Sequence, residues 1–229
     1  GSRLGTPLHQ LENKLPKTVK GLHIHTLCEQ DFPPLARTVD ALHPFLEAVA
    51  SQLRWLNLGG GHLVTRHDYE RAALAELTNA LAHTYDVRVF LELGTAVAFD
   101  AGILVGEVLD VMDNEGPVAV LDVSATCHMP DILEAPYRPG LRDECLGGQA
   151  VRLGGPSCLA GDVIGTYGFD ALPQAGDRLA FLDQAHYSMV KTTTFNGVRL
   201  PALAIWNSDT DALRMVRTFD YADFEGRLS

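Results

Sequence analysis

The chain has 229 residues, of which 46% are hydrophobic, so it can bury a core in one large domain or two modest ones. Its formal net charge of −11, with only 18 Lys and Arg residues, argues against a nucleic-acid partner and would suit a cationic ligand. No run of roughly 18 apolar residues and no apolar leader occurs, so we expect neither a membrane span nor secretion, and a cytoplasmic protein. The four cysteines lack C-x-x-C spacing and are expected to be reduced thiols.

The N-terminal part alternates short apolar runs with segments of helical periodicity. This pattern predicts βα units and a parallel sheet. The predicted elements are a strand at 22–25, a helix at 35–53, a strand at 54–58, a helix at 68–84 with Asp68 as N-cap, and a strand at 87–91.

From about Val97 onward the pattern changes to short strands separated by Gly, Pro and Asp. The predicted strands lie at 103–105, 118–121, 178–181 and 203–205, and the best long loop lies at 136–148. The sequence therefore predicts two domains, an α/β domain at 1–96 and a β domain at 97–229. About three βα units are too few to close an eight-stranded barrel, which usually needs about 250 residues.

Two features of the first domain are typical of ligand sites. Gly59, Gly60 and Gly61 directly follow a strand, where bare backbone N–H groups can approach a phosphate, although a tight turn would use the same residues. Glu92 ends the third strand, at the edge where parallel α/β folds assemble their sites, or is simply a solvated strand end.

His23 and His25 lie two residues apart on a strand and so point to the same face. Such a pair can bind a metal, but it is more often a packing feature. No third ligand has convincing spacing, so we expect no metal. Stacking of one imidazole on an aromatic cofactor is the alternative.

The segment 153–162 places a thiol, Cys158, four residues before a carboxylate, Asp162, in a glycine-rich loop. Such a pair could carry proton-transfer chemistry, or the segment could be a turn around a small buried thiol. Asp122 and Tyr187 are ambiguous in the same way.

As a set, these segments resemble the C-terminal part of the carboxynorspermidine (carboxyspermidine) decarboxylase family. This family consists of pyridoxal-phosphate enzymes of the alanine racemase and ornithine decarboxylase fold group. The resemblance is carried by residues 21–29, 55–63, 122–131, 153–162 and 185–197, in family order and over almost the whole chain.

The resemblance implies a fold and a cofactor site. The fold would be the C-terminal part of a (β/α)8 barrel, about three βα units, followed by a β-barrel or β-sandwich domain. His25 would stack on the pyridine ring of pyridoxal 5'-phosphate, the three glycines 59–61 would hold its phosphate, and Glu92 would pair with the ring nitrogen. Tyr187 would lie near the phosphate.

The resemblance also implies an activity and its partners. Cys158 would protonate the substrate carbon after CO₂ departs, Asp162 would act with it and help to hold the substrate amine, and Asp122 would bind substrate. The reaction would convert carboxynorspermidine or carboxyspermidine, polycationic amino acids, into norspermidine or spermidine in polyamine biosynthesis. In relatives the cysteine loop reaches the neighbouring subunit's site, so a homodimer with shared sites is expected.

The chain departs from the family at two points. Relatives read Glu-Pro-Gly-Glu or Glu-Pro-Gly-Arg where this chain has residues 92–95, Glu-Leu-Gly-Thr. The lysine that binds the cofactor in relatives lies on an early barrel strand, and none of the four lysines here, Lys14, Lys17, Lys20 and Lys191, corresponds to it.

We therefore expect the C-terminal portion of a longer or split enzyme, inactive in isolation, with an N-terminal half chain as a possible partner. The alternatives are a non-catalytic homologue that binds or regulates an intact enzyme, and a related decarboxylase such as one acting on diaminopimelate.

Overall fold

The computed structural model describes residues 2–228. The chain divides into a first compact unit that ends at Phe99 and a second that begins at Asp100, three residues beyond the boundary predicted from sequence. Each unit has its own cluster of buried apolar side chains.

The first unit is built on a parallel three-stranded sheet. Its strands β1 (Gly21–His23), β2 (Trp55–Asn57) and β3 (Arg88–Phe90) lie in sequence order. Helices α1 (Phe32–Val49) and α2 (Arg71–Tyr85) connect them, and a short helix α3 (Thr95–Ala98) follows β3. The predicted βα alternation is thus confirmed. Apolar side chains at helical spacing pack beneath the sheet, among them Leu35, Val39, Leu46, Val49, Leu74 and Leu81.

Helix boundaries differ from the prediction for local reasons. Helix α1 begins at Phe32 because Pro33 and Pro34 lie in its first turn, where no backbone donor is needed, whereas a third proline, Pro44, lies inside the helix. Helix α2 begins three residues later than predicted, with Glu70 and not Asp68 at the N-cap. The carboxylate of Asp68 instead pairs with Arg66 at 2.7 Å, so the assignment of Asp68 as N-cap was wrong.

The second unit contains a mixed five-stranded sheet in the order β7-β6-β5-β4-β8. Strands β5 and β6 are parallel, and the other neighbours are antiparallel. The strands are β4 (Leu104–Asp113), β5 (Pro117–Leu121), β6 (Gln149–Gly154), β7 (Val163–Phe169) and β8 (Arg178–Phe181). Three of them were predicted, although β4 is much longer than expected. Strand β6 was missed because it is short and runs directly into the glycine-rich loop, and β7 was missed because Gly165 and Gly168 interrupt its apolar pattern.

Short elements complete the second unit. Helices α4 (Ala125–His128) and α5 (Asp131–Glu134) follow β5, and α6 (Tyr187–Val190) follows β8. A largely exposed antiparallel hairpin, β9 (Leu203–Asn207) and β10 (Ala212–Arg217), precedes helix α7 (Tyr221–Leu228). No helix among residues 2–228 is long and apolar enough to cross a membrane.

Candidate functional site

Four polar side chains meet at the carboxyl ends of the parallel strands in the first unit. His23 and Asn57 end β1 and β2, His25 lies two residues beyond β1, and Glu92 two residues beyond β3. The Glu92 carboxylate oxygens lie 3.3 Å from His23 Nε2 and 3.4 Å from His25 Nδ1, and Oε1 accepts a hydrogen bond from Asn57 Nδ2 at 2.8 Å. We call these four residues the strand-end cluster.

The strand-end cluster keeps Glu92 ionised. The hydrogen bond from Asn57 is the largest cause that lowers the pKa of Glu92, and the two imidazoles lower it further. The Glu92 side chain is 43% exposed, so the carboxylate remains open to a ligand. The cluster therefore presents a fixed negative charge at the edge of the sheet.

The cluster also supplies the third potential metal ligand that sequence spacing did not reveal. One ligand atom each from His23, His25 and Glu92 lie within 4.8 Å of one another. Two imidazoles and one carboxylate are a known donor set for Zn²⁺. All three side chains are solvent-exposed, and the carboxylate already accepts the Asn57 hydrogen bond.

The three glycines after β2 bring their loop directly against its neighbours. A Cβ at Gly60 would lie 2.6 Å from the carbonyl oxygen of Glu92, and one at Gly61 would lie 2.2 Å from that of Leu27. Gly59 and Gly61 also have φ of +71° and +79°, which side chains disfavour. Among residues 2–228, no hydrogen bond is donated by the N–H groups of Gly60 or Gly61, so both are available to an anion.

Sequence reasoning missed the buried histidine that follows this loop. His62 is 1% exposed, and burial lowers its pKa, which favours the neutral imidazole. Its carbonyl oxygen accepts a hydrogen bond from Thr95 Oγ1 at 3.2 Å, next to the Glu92 segment. Its position directly after a glycine run is the signal that could have singled it out.

In the second unit, Cys158 and Asp162 share the loop that joins β6 to β7 but lie in different environments. Cys158 is exposed, whereas Asp162 is 4% exposed. The Asp162 carboxylate accepts hydrogen bonds from Ser124 Oγ at 2.8 and 2.9 Å, from Thr126 N at 3.1 Å and from Ser157 N at 3.2 Å. The carboxylate is thus occupied inside the unit, not free for a substrate amine.

Asp122 and Tyr187 both lie at the surface of the second unit. Asp122 follows β5, and its Oδ1 accepts a hydrogen bond from the backbone N–H of Glu107 at 2.7 Å. Tyr187 opens α6, is 65% exposed and has the Lys191 ammonium 5.3 Å from its ring centre. Lys191 is itself held by Asp131 and Glu134, whose carboxylates raise its pKa.

The family profile described as "Pyridoxal-dependent decarboxylase, C-terminal sheet domain" matches residues 35–185. This range includes all the candidate site residues of each unit except His23, His25 and Tyr187. The chain therefore belongs to the pyridoxal-dependent decarboxylases.

Comparison with individual proteins shows which members of this family the chain is similar to. The chain is 44% identical, over its whole length, to a carboxyaminopropylagmatine decarboxylase from Synechocystis, and 38% identical over 99% of its length to a carboxynorspermidine/carboxyspermidine decarboxylase from Campylobacter jejuni. It spans 60% and 63% of those two proteins. A solved carboxynorspermidine decarboxylase from C. jejuni, complexed with norspermidine, superimposes with a TM-score of 0.88 at 37% identity, over 99% of this chain and 65% of that one.

Proposed function

We propose that this chain supplies the C-terminal part of a pyridoxal-phosphate-dependent decarboxylase that acts on carboxynorspermidine or carboxyspermidine to give norspermidine or spermidine. The observation that carries the proposal is the pairing, at one sheet edge, of an ionised Glu92 with a glycine loop in which the N–H groups of Gly60 and Gly61 donate to no other described residue and can bind an anion. The similarity to relatives with these activities supports it.

The residues at the strand ends fit pyridoxal phosphate. When bound, the cofactor would supply an electron sink, its protonated pyridine ring, for the electron pair left at the substrate carbon as CO₂ departs. The ionised Glu92 carboxylate would hold the proton on the ring nitrogen. The N–H groups of Gly60 and Gly61 would bind the phosphate, with Tyr187 near it, and Gly59 would shape the loop, since its own N–H donates to Asn57 Oδ1. The His25 imidazole would stack on the ring.

The loop between β6 and β7 would supply the proton. The exposed thiol of Cys158 would donate it to the substrate carbon after CO₂ leaves. Asp162 would contribute by holding this loop in place, because its carboxylate is buried and accepts hydrogen bonds from Ser124, Thr126 and Ser157. Asp122, an exposed carboxylate two residues before Ser124, is then the better candidate for binding a substrate amine.

The proposal also includes the architecture and assembly of the complete enzyme. The three parallel strands would be part of an eight-stranded (β/α)8 barrel, and the second unit would be its β-barrel or β-sandwich partner domain. The enzyme would be a cytoplasmic homodimer with shared sites, or would pair with an N-terminal half chain. This chain spans only 60% and 63% of two relatives. The remaining part of such a protein would supply the other barrel strands, which supports this arrangement.

The Synechocystis relative adds a third candidate substrate. Its 44% identity to this chain, against 38% for the C. jejuni relative, favours testing carboxyaminopropylagmatine beside the other two compounds. Carboxynorspermidine and carboxyspermidine differ by one methylene, which a pocket distinguishes by only about 1 to 3 kcal/mol.

The test is turnover by the full gene product loaded with pyridoxal phosphate. CO₂ release and amine product are measured with carboxynorspermidine, carboxyspermidine, carboxyaminopropylagmatine and diaminopimelate. We expect kcat/KM to be highest for one of the first two. A preference for carboxyaminopropylagmatine would support this third candidate, and a preference for diaminopimelate would contradict all three. The absence of turnover on all four would support the non-catalytic alternative, which the names of the relatives do not favour.

A matched pair of thiol variants tests the role of Cys158 in the same assay. Cys158→Ala is expected to lower amine formation strongly, whereas Cys145→Ala, which removes a thiol outside this loop, is expected to leave it unchanged. Equal activity in both variants would exclude Cys158 as the proton donor.

A further inference from the structure

Asn57 uses both ends of its side-chain amide to join two parts of the candidate site. Its Nδ2 donates to Glu92 Oε1 at 2.8 Å, and its Oδ1 accepts from the backbone N–H of Gly59 at 2.9 Å. The residue ends β2, where it lies in register between His23 of β1 and Phe90 of β3. It is thus the central strand's contribution to the strand-end cluster.

The chemistry of these two contacts calls for an amide. A carboxylate of the same size would offer only acceptors, so one of its oxygens would face the Glu92 carboxylate. Alanine would offer neither donor nor acceptor, and glutamine would move the amide outward by one methylene. Asparagine donates to Glu92 and accepts from Gly59 at the distances observed.

The backbone connects the same two segments. The N–H of Glu92 donates to the carbonyl oxygen of Gly59 at 2.9 Å. A Cβ at Gly60 would lie 2.6 Å from the Glu92 carbonyl oxygen, so the two segments are in direct contact. The Asn57 amide adds to these backbone contacts a hydrogen bond from the β2 end to the Glu92 side chain.

We propose that Asn57 is a positioning residue that ties the Glu92 carboxylate to the glycine loop and thereby fixes the spacing between the ring-nitrogen partner and the phosphate cradle. The inference rests on the proposed function and adds to it a residue with no role assigned by the resemblance. A cofactor whose two polar ends are bound at once requires this spacing to be held before binding.

The role of Asn57 can be measured without the cofactor, because its hydrogen bond changes the pKa of Glu92. The titratable groups that face its carboxylate are the imidazoles of His23 and His25, at 3.3 and 3.4 Å. The Asn57 hydrogen bond is nevertheless the largest single cause that lowers the pKa of Glu92. Removing the amide should therefore raise this pKa even though both histidines remain, and placing a second carboxylate there should raise it further.

The first experiment titrates Glu92 by carbon-13 NMR in the cofactor-free full gene product, with the resonance assigned by Glu92→Gln. We expect Glu92 to titrate at higher pH in Asn57→Ala than in the parent, and at still higher pH in Asn57→Asp. Asn79→Asp, which adds the same charge on the exposed face of α2, should leave the titration unchanged. A Glu92 titration in Asn57→Ala identical to that of the parent would overturn the proposal.

The second experiment measures the affinity for pyridoxal phosphate by fluorescence titration. Loss of one hydrogen bond to a charged group predicts a decrease of about tenfold or more for Asn57→Ala and Asn57→Asp, with Asn79→Asp unchanged. Unchanged affinity in both Asn57 variants would overturn the proposal. If the parent itself did not bind the cofactor, the proposed function would fail, and the Glu92 titration would still decide whether Asn57 controls that carboxylate.

Discussion

The carboxylate of Asp162 lies inside the second unit against the hydroxyl of Ser124, whose Oγ is 2.8 and 2.9 Å from its two oxygens. Ser124 also caps α4 by accepting a hydrogen bond from the N–H of Cys127 at 3.0 Å. A Cβ at Gly155 would lie 2.3 Å from Asp162 Oδ2, so a glycine there leaves room for the carboxylate. The pair thus anchors the Cys158 loop to the segment that follows β5.

Removal of the Ser124 hydroxyl should destabilise the second unit. Ser124→Ala leaves a buried carboxylate without one of its donors, which costs about 1 to 3 kcal/mol of unfolding free energy. Chemical denaturation measures this loss. Ser208→Ala, at an exposed turn of the same unit, is the matched control and should change the unfolding free energy by less than about 0.5 kcal/mol. Equal effects of the two substitutions would show that the hydroxyl contributes nothing.

Alanine substitutions at Gly61, in the glycine loop, and at Gly94, outside it, should have different effects on stability and cofactor binding. Gly61→Ala would place a Cβ 2.2 Å from the carbonyl oxygen of Leu27 at a residue with φ of +79°, so we expect lower stability and loss of cofactor binding. Gly94→Ala, where the added Cβ meets nothing within 4 Å, should retain both. Thermal unfolding and cofactor titration measure the two effects. Wild-type behaviour of Gly61→Ala would contradict the close packing of this loop.

His128 should make stability fall in weak acid. It is 2% exposed; its Nδ1 accepts from the N–H of Ser124, and burial lowers its pKa below the usual 6.5. Below about pH 6.5 the unfolded chain gains a proton that folded His128 does not yet bind, so the unfolding free energy declines as pH decreases further. Denaturation between neutral pH and pH 5 should show a shallower decline in His128→Gln than in the parent. Parallel pH profiles would contradict this assignment.

Tyr167 should make the unfolding free energy fall at alkaline pH. Burial raises its pKa to about 12, and its hydroxyl donates to the carbonyl oxygen of Pro139 at 2.9 Å. Its contribution, about 2 to 3 kcal/mol, is complete below pH 10 and is lost as pH rises from about 10 to 12, because the unfolded phenol ionises first. Tyr167→Phe should remove this part of the alkaline decline. An unchanged alkaline profile in Tyr167→Phe would contradict the raised pKa.

The sequence predicts the elements of the first unit well because local periodicity encodes them. The apolar side chains of α1 and α2 recur at helical spacing, and the short β-strands between them are bounded by glycines and polar residues. Strand β7 could not be predicted in this way, since Gly165 and Gly168 interrupt its apolar pattern, and β6 has only two buried apolar residues, Val151 and Leu153, before the glycine-rich loop. Only pairing with β5 and with each other defines them.

Part of the candidate site follows from the sequence and part does not. Glu92 and the glycine loop could be placed at one edge because parallel strands end together. The contacts of Asn57 with Glu92 and of Ser124 with Asp162 join side chains 35 and 38 residues apart, so only the folded chain reveals them. The burial of Asp162 is likewise visible only in the folded chain, whereas the family resemblance implied that this residue helps to hold the substrate amine.

The most direct test of the central claim is the binding of pyridoxal phosphate to the full gene product and to its Glu92→Gln variant. Stoichiometric binding by the parent, at least about tenfold weaker binding by Glu92→Gln and parental affinity in the exposed control Glu76→Gln are the predicted results. Equal affinity of the parent and Glu92→Gln, or no binding by the parent, would contradict the assignment of the strand-end cluster as the cofactor site.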